Sequence, residues 1–133
     1  MIETGLVKLI QGNAGVQALA QFRGGHAATL PKDAILPNWC YTVISHDPQV
    51  TIDVNPLQIM VIQIESYGET QADANALATA IESLLSPYRG TLTDPASTYV
   101  TMITITGKLD YQNPESRQHC RMVQYEIAFS AQS

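Results

Sequence analysis

The residues with chemistry to offer in this chain are three histidines, two cysteines and a single Ser-His-Asp run. His26, His46 and His119 lie far apart, and none has a second His, Cys or acid at a metal-ligand spacing apart from His119-Cys120. Neighbouring residues of a strand point to opposite faces, so this pair cannot close on one ion and no metal site is expected. Ser45-His46-Asp47 holds the three residue types of a hydrolytic triad. Triads, however, are assembled from distant segments that align nucleophile, base and orienting acid, which a tripeptide at a strand end cannot do. With Asp47-Pro48 as punctuation it reads as a turn. Gly24-Gly25 and Gly12-Asn13-Ala14-Gly15 lack the strand, helix and lysine of a phosphate cradle, and turn chemistry accounts for them. The carboxylates of Asp94, Asp110, Glu115 and Glu126 fall in different local settings and form no matched acid and base. The expectation is a protein that is not an enzyme, with no catalytic residue and no cofactor.

Composition narrows the class further. At 133 residues the chain is read as one domain spanning 1–133. A chain of this size buries roughly 65–70% of its unfolded surface, enough for a core without metal or disulfide staples. Cys40 and Cys120 sit in apparent strands and read as buried free thiols of a reducing compartment, with a disulfide as the alternative. Charged residues make up only 14%, against roughly 25% in ordinary soluble domains. A surface rich instead in Thr, Gln, Ser and Asn suits a subunit that meets other subunits. The net charge is −5 with no basic run, which argues against adhesive nucleic-acid binding. Neither a signal peptide nor a membrane span is expected, since the first residues lack a basic stretch followed by an apolar core and no apolar run approaches 18 residues.

The elements that must position any surface follow from periodicity. Residues 1–10 predict a helix with Ile2, Leu6, Leu9 and Ile10 on its apolar face; Gly12-Asn13 interrupts it, and Val16, Leu19 and Ala20 add a further turn. Gly24-Gly25 marks a turn or mobile link, and residues 26–37 hold at most a short strand, given Pro31 and Pro37. Residues 39–45 and 57–67 predict strands joined by an extended connection over 46–56. In the second, Met60, Ile62 and Ile64 face one way and Leu57, Ile59 and Val61 the other, as in a central strand or one covered by a neighbouring subunit. Thr70 to Asp73 has the form of a capping box. It opens a helix with Ala72, Ala76, Leu77, Ala80, Ile81, Leu84 and Leu85 in one stripe, ended by Ser86-Pro87. Residues 89–97 predict a link. Residues 99–111 predict a strand with Tyr99, Thr101, Ile103, Ile105 and Leu109 on one face; after a loop at 112–116, residues 120–131 return with Val123, Tyr125, Ile127 and Phe129 together. The fold class is α+β: a mainly antiparallel sheet packed by two helices on one face.

Laid out this way the chain resembles a known family. The N-terminal helix with Leu6, Leu9 and Ile10 is followed by a Pro-bearing loop and a strand of the form Leu36-Pro37-x-Trp39-x-Tyr41-x-Val43-Ile44-Ser45. Next come the strand Val61-Ile62-Gln63-Ile64-Glu65-Ser66-Tyr67 and the helix Ala72-x-x-x-Ala76-Leu77-x-x-Ala80-Ile81-x-x-Leu84. This order is similar to that of the tail-completion, or tail-terminator, proteins of long-tailed bacteriophages and prophages.

The resemblance implies a small α+β subunit that forms a ring, typically a hexamer, on the head-proximal end of the tail tube. Such a ring stops tube polymerisation and supplies the surface that joins the head. The implied partners are further copies of the chain, the tail tube protein and a head-completion or neck protein, with no membrane. DNA would pass through the lumen without specific binding, which an acidic balance suits. The implied location is the host cytoplasm during assembly and then the virion. The long connections are the expected contact regions. The candidate interface residues are Trp39, Asp47, Gln49, Asp53, Asp94, Gln112, Asn113, Glu115 and Arg117. Trp39 has a second reading, as packing for the start of its strand. The functional alternatives are a head-closure or neck protein of the same junction, and a small-molecule-binding α+β domain with a cleft between helix and sheet.

Overall fold

The computed structural model describes residues 2–20, 24–27, 35–48, 58–92, 98–112 and 118–131. Its helices, in chain order, are α1 (Ile2–Gln11), α2 (Ala14–Ala20) and α3 (Gln71–Leu85). Its strands are β1 (His26–Ala27), β2 (Asn38–Pro48), β3 (Gln58–Gly68), β4 (Gly90–Leu92), β5 (Thr98–Gln112) and β6 (His119–Ala131). They form one sheet in the order β1-β2-β3-β6-β5-β4, antiparallel throughout except for the parallel β1–β2 pair. The fold class is α+β, as the sequence predicts.

β3 is central because both of its faces can be covered. Met60, Ile62 and Ile64 are buried, while Ile59, Val61, Gln63 and Glu65 on the other face are half-buried. Its full-length ladder with β6 places Met60 beside Ile127, Ile62 beside Tyr125 and Ile64 beside Val123, so the buried rows of the two strands coincide. The helices cover this row. Ile2, Leu6 and Ile10 of α1, Val16 and Ala20 of α2, and Leu77, Ala78, Ile81 and Leu85 of α3 join it in one core. α2 is a helix of its own rather than an extra turn of α1. Gly12 breaks the chain, and the Asn13 side chain accepts from the Val16 backbone N–H at 3.1 Å, starting the new helix.

α3 begins as predicted: the Thr70 hydroxyl accepts the Asp73 backbone N–H at 3.1 Å. Gly68, at the end of β3, lets this start lie close, since a Cβ there would fall 2.6 Å from the Ala74 nitrogen. The buried face differs from the predicted stripe. Ala74, Leu77, Ala78, Ile81 and Leu85 are buried, while Ala72 and Ala76 are exposed. Alanines recur at 72, 74, 76, 78 and 80, so small side chains are available on every face. The large residues Leu77, Ile81 and Leu85 set the rotation.

β5 departs furthest from simple alternation. Bulges between Val100 and Met102 and between Ile105 and Gly107 each insert one residue. The first puts Val100 on the core side with Ile103, and turns Tyr99 away from the face it was predicted to share with Ile103. The second sends Leu109 to the far side, where it stands exposed. Two predicted connections also shorten. β2 runs on to Pro48, and residues 90–92 of the 89–97 link form edge strand β4 against residues 98–100.

Candidate functional site

The face of the sheet turned away from the helices carries the polar side chains, and two features organise it. At one end lies a cluster built on Glu65. Tyr67 donates its hydroxyl hydrogen bond to Glu65 Oε2 at 2.6 Å, and Tyr111 donates to the same oxygen. Cys120 Sγ lies 4.0 Å from that oxygen. Register explains the meeting: Tyr67 and Tyr111 both pair with Cys120, from either side of β6, and Cys40 pairs with Glu65. The tyrosines lean over β6, and Cys120 is fully buried beneath them.

Electrostatics here disfavour ionisation. Burial, and then the hydrogen bond to Glu65, raises both tyrosine hydroxyls far above their ordinary value of 10.0. Burial pushes both thiols up to about 12; the Glu65 carboxylate adds to this at Cys40, while the Tyr111 hydroxyl works against it at Cys120. Neutral thiols of this kind are poor nucleophiles and poor metal ligands. Both cysteines are free, as the sequence reading has them. His119, opposite Gly68, lies on the helix side, so His119 and Cys120 do point apart. Among the described residues no group of three or more His, Cys, Asp or Glu side chains converges as an ion's ligands would.

The second feature is a polar belt across the middle of this face. Gln63 Nε2 donates to Gln124 Oε1 at 3.2 Å, and Gln124 Nε2 donates to Thr106 Oγ1 at 3.2 Å. Beyond the belt the face becomes apolar again, with Ile59, Ala128 and Met102 in one register row. Along this face the Glu65 cluster, the polar belt and the apolar row thus follow one another from one end of the sheet to the other.

Of the predicted interface residues, Trp39, Asp47 and Gln112 fall among the described residues. Trp39 is buried in the core rather than exposed as an anchor. Gly24 and Gly25, at φ 102° and 77°, pack on its ring, and the Gly25 N–H donates to the Trp39 carbonyl at 3.1 Å. The packing reading of Trp39 is therefore the one the geometry gives. Its Nε1, with Ser66 Oγ and Tyr125 Oη, is buried without a hydrogen-bond partner among the described residues. Gln112 is exposed at the end of β5, and Asp47 lies in β2 opposite Ile59. Gln49, Asp53, Asp94, Asn113, Glu115 and Arg117 fall outside the described residues. The Glu65 cluster was missed from sequence. Its one signal is that the second face of β3 turns polar after Val61.

A groove of about 200 Å³ between α1 and β4 is lined by Gly5, Lys8, Leu9, Tyr88, Thr91 and Leu92. It is smaller than the roughly 300–1,000 Å³ of ordinary ligand pockets. No helix of the described residues is long and apolar enough to cross a membrane.

Comparison with solved structures gives a full-length likeness of fold. A chain in the virion of a native gene transfer agent particle superposes with a TM-score of 0.67, covering 98% of this chain and 95% of that one at 12% sequence identity. At that identity the likeness establishes a shared fold. No protein-family model and no curated protein matches the sequence.

Proposed function

We propose that this chain is a structural protein of a phage-like particle and, within that class, a tail terminator. The observation that supports the reading most is the fold likeness to a chain of a gene transfer agent virion, which runs over nearly the full length of both chains. In this reading residues 1–133 act as one domain, and copies of the chain form a ring, taken as a hexamer, on the head-proximal end of the tail tube. One side of the ring binds the last tube layer; the other cannot accept a further tube subunit and meets the head-completion or neck protein. The mechanism is occlusion by shape, without catalysis or cofactor. DNA passes through the lumen, and the protein enters the virion from the host cytoplasm. The connections carrying Gln49, Asp53, Asp94, Asn113, Glu115 and Arg117, with Asp47 and Gln112 at strand ends, are the proposed contact regions.

Light scattering and negative-stain microscopy of the purified chain, with and without tail tubes of the same particle, test the reading. The expected result is density capping one tube end and no further elongation of capped tubes. A chain that stays monomeric and ignores tubes overturns it. Binding to completed heads but not to tubes would move the chain to the head-closure role.

A further inference from the structure

Six large apolar side chains stand exposed among the described residues, and five of them lie on two strands: Val43 and Ile44 on β2, Tyr99, Met102 and Leu109 on β5. Among the described residues these are also the strands whose outer edges are only partly covered. β1 covers β2 only at Cys40 and Tyr41, and β4 covers β5 only at residues 98–100. β4 cannot lengthen along β5, because the chain before Gly90 is the turn leaving α3. Among the described residues nothing pairs with the outer edge of 102–111 or of 42–48.

Open edges are usually guarded by charges that repel an incoming strand. The charged residues of β5 are Lys108 and Asp110, and both are already paired within the chain. Lys108 Nζ lies 2.7 Å from Glu82 Oε1, and Asp110 takes both Arg121 donors, at 2.7 and 2.9 Å. The two bulges bend this edge without supplying it with a partner.

We propose that residues 102–111 of β5 form a strand-docking edge, and that its occupant is the open β2 edge of a second copy of this chain. The proposal rests on the ring reading above and adds the contact that would hold the ring together. Strand polarity supports this occupant. From β2 through β3 and β6 to β5 every pair is antiparallel, so β2 and β5 run in opposite directions. A second copy placed in the same sense sets its β2 antiparallel to β5 and continues the alternation. One unlike edge on each side of every copy is a head-to-tail contact, which closes into a ring when the rotation allows. The short β1 and β4 lie at opposite ends of the sheet, so a stagger along the strands, as in closed sheets generally, clears both.

Backbone amide exchange, read by mass spectrometry on the full chain alone and assembled on tail tubes, tests this edge. In the assembly, amides of 102–111 and 42–48 should exchange at least tenfold more slowly than in the free chain, with β3 and β6 little changed. Met102→Lys and Leu109→Lys should leave circular dichroism unchanged and weaken assembly at least tenfold. If the chain assembles while 102–111 exchanges as fast as when free, the edge proposal is overturned and the terminator reading stands. Slowing at 102–111 without slowing at 42–48 would mean a strand from another protein, and overturns the second-copy occupant. No assembly with or without tubes overturns both. The exchange measurement uses the unaltered chain, so it decides even if a lysine variant misfolds.

Discussion

The hydroxyls of Tyr67 and Tyr111 lie 3.4 Å apart although their strands are not neighbours, because β6 runs between β3 and β5. They meet at one oxygen of Glu65 and enclose Cys120. Three strands are thereby tied together on the face away from the helices, where no helix can hold them.

This clasp should be measurable as coupling. A hydrogen bond to a charged group contributes about 1.5–3 kcal/mol, and somewhat less where water still reaches it. Tyr111→Phe is expected to cost about 1–2 kcal/mol in urea unfolding, and Glu65→Gln about 2 kcal/mol. The double variant should cost less than the sum by at least about 0.5 kcal/mol, since both remove one bond. Strict additivity would show that the two groups do not act together.

The buried thiols give a kinetic and a pH expectation. With both pushed up to about 12, the thiolate fraction at pH 8 is roughly one part in ten thousand. Cys40 and Cys120 should therefore resist a thiol reagent in the native chain and react at once in denaturant, and Tyr111→Ala should speed reaction at Cys120. An unfolded thiol releases its proton near 9.0, while the folded thiols keep theirs to about 12. Their contribution to stability is thus intact below pH 9 and is lost as pH rises through that window. Urea unfolding at pH 7 to 11 checks this, and the loss should be smaller in Cys40→Ala/Cys120→Ala.

Asp110 provides the acid-side counterpart. Its hydrogen bonds from Arg121 hold its carboxyl below the ordinary 3.8. The pair's stabilisation is present above 3.8 and is lost as pH falls below it. The carboxylate is largely exposed, so screening keeps the effect small. Asp110→Asn should cost no more than about 1 kcal/mol at pH 7, and the difference should shrink in 1 M salt or near pH 2. A loss of several kcal/mol would mean that the pair is less exposed than described.

Among the described glycines Gly24 has the closest approach to a neighbour. Its φ of 102° disfavours any side chain, and a Cβ there would fall 2.1 Å from Trp39 Nε1. Gly24→Ala should cost about 2 kcal/mol or more, read as a lowered midpoint in thermal unfolding with altered Trp39 fluorescence. Gly107, with no atom of the described residues within 4 Å of an added Cβ, is the control and should tolerate alanine far better.

Much of the fold was legible because large apolar residues fix the rotation of an element. Val123, Tyr125, Ile127 and Phe129 alternate without interruption, and β6 faces the core with all four. Where the pattern is redundant, sequence loses its grip. The alanines of α3 allow several faces, and only docking on β3 and β6 selects Ala74 and Ala78 over Ala72 and Ala76. In β5 the alternation was read straight through Thr101 and Thr106, yet a bulge at each moves Val100 inward and Leu109 outward. Bulges are settled by how a strand must bend along its partner, which lies in another part of the chain.

The sequence by itself determined an α+β chain with a two-faced central strand, a capped helix after it and a composition poor in charge. Those properties are local: hydrophobic period, capping chemistry and composition act within a few residues of one another. Tertiary structure alone decided that Trp39 lies under Gly24 rather than on the surface, and that Tyr111 reaches Glu65 across β6. It also decided that five of the six large apolar residues exposed among the described residues lie on β2 and β5 of one sheet. Each of these joins residues distant in sequence, and their meeting depends on strand order and register, which no short-range pattern encodes.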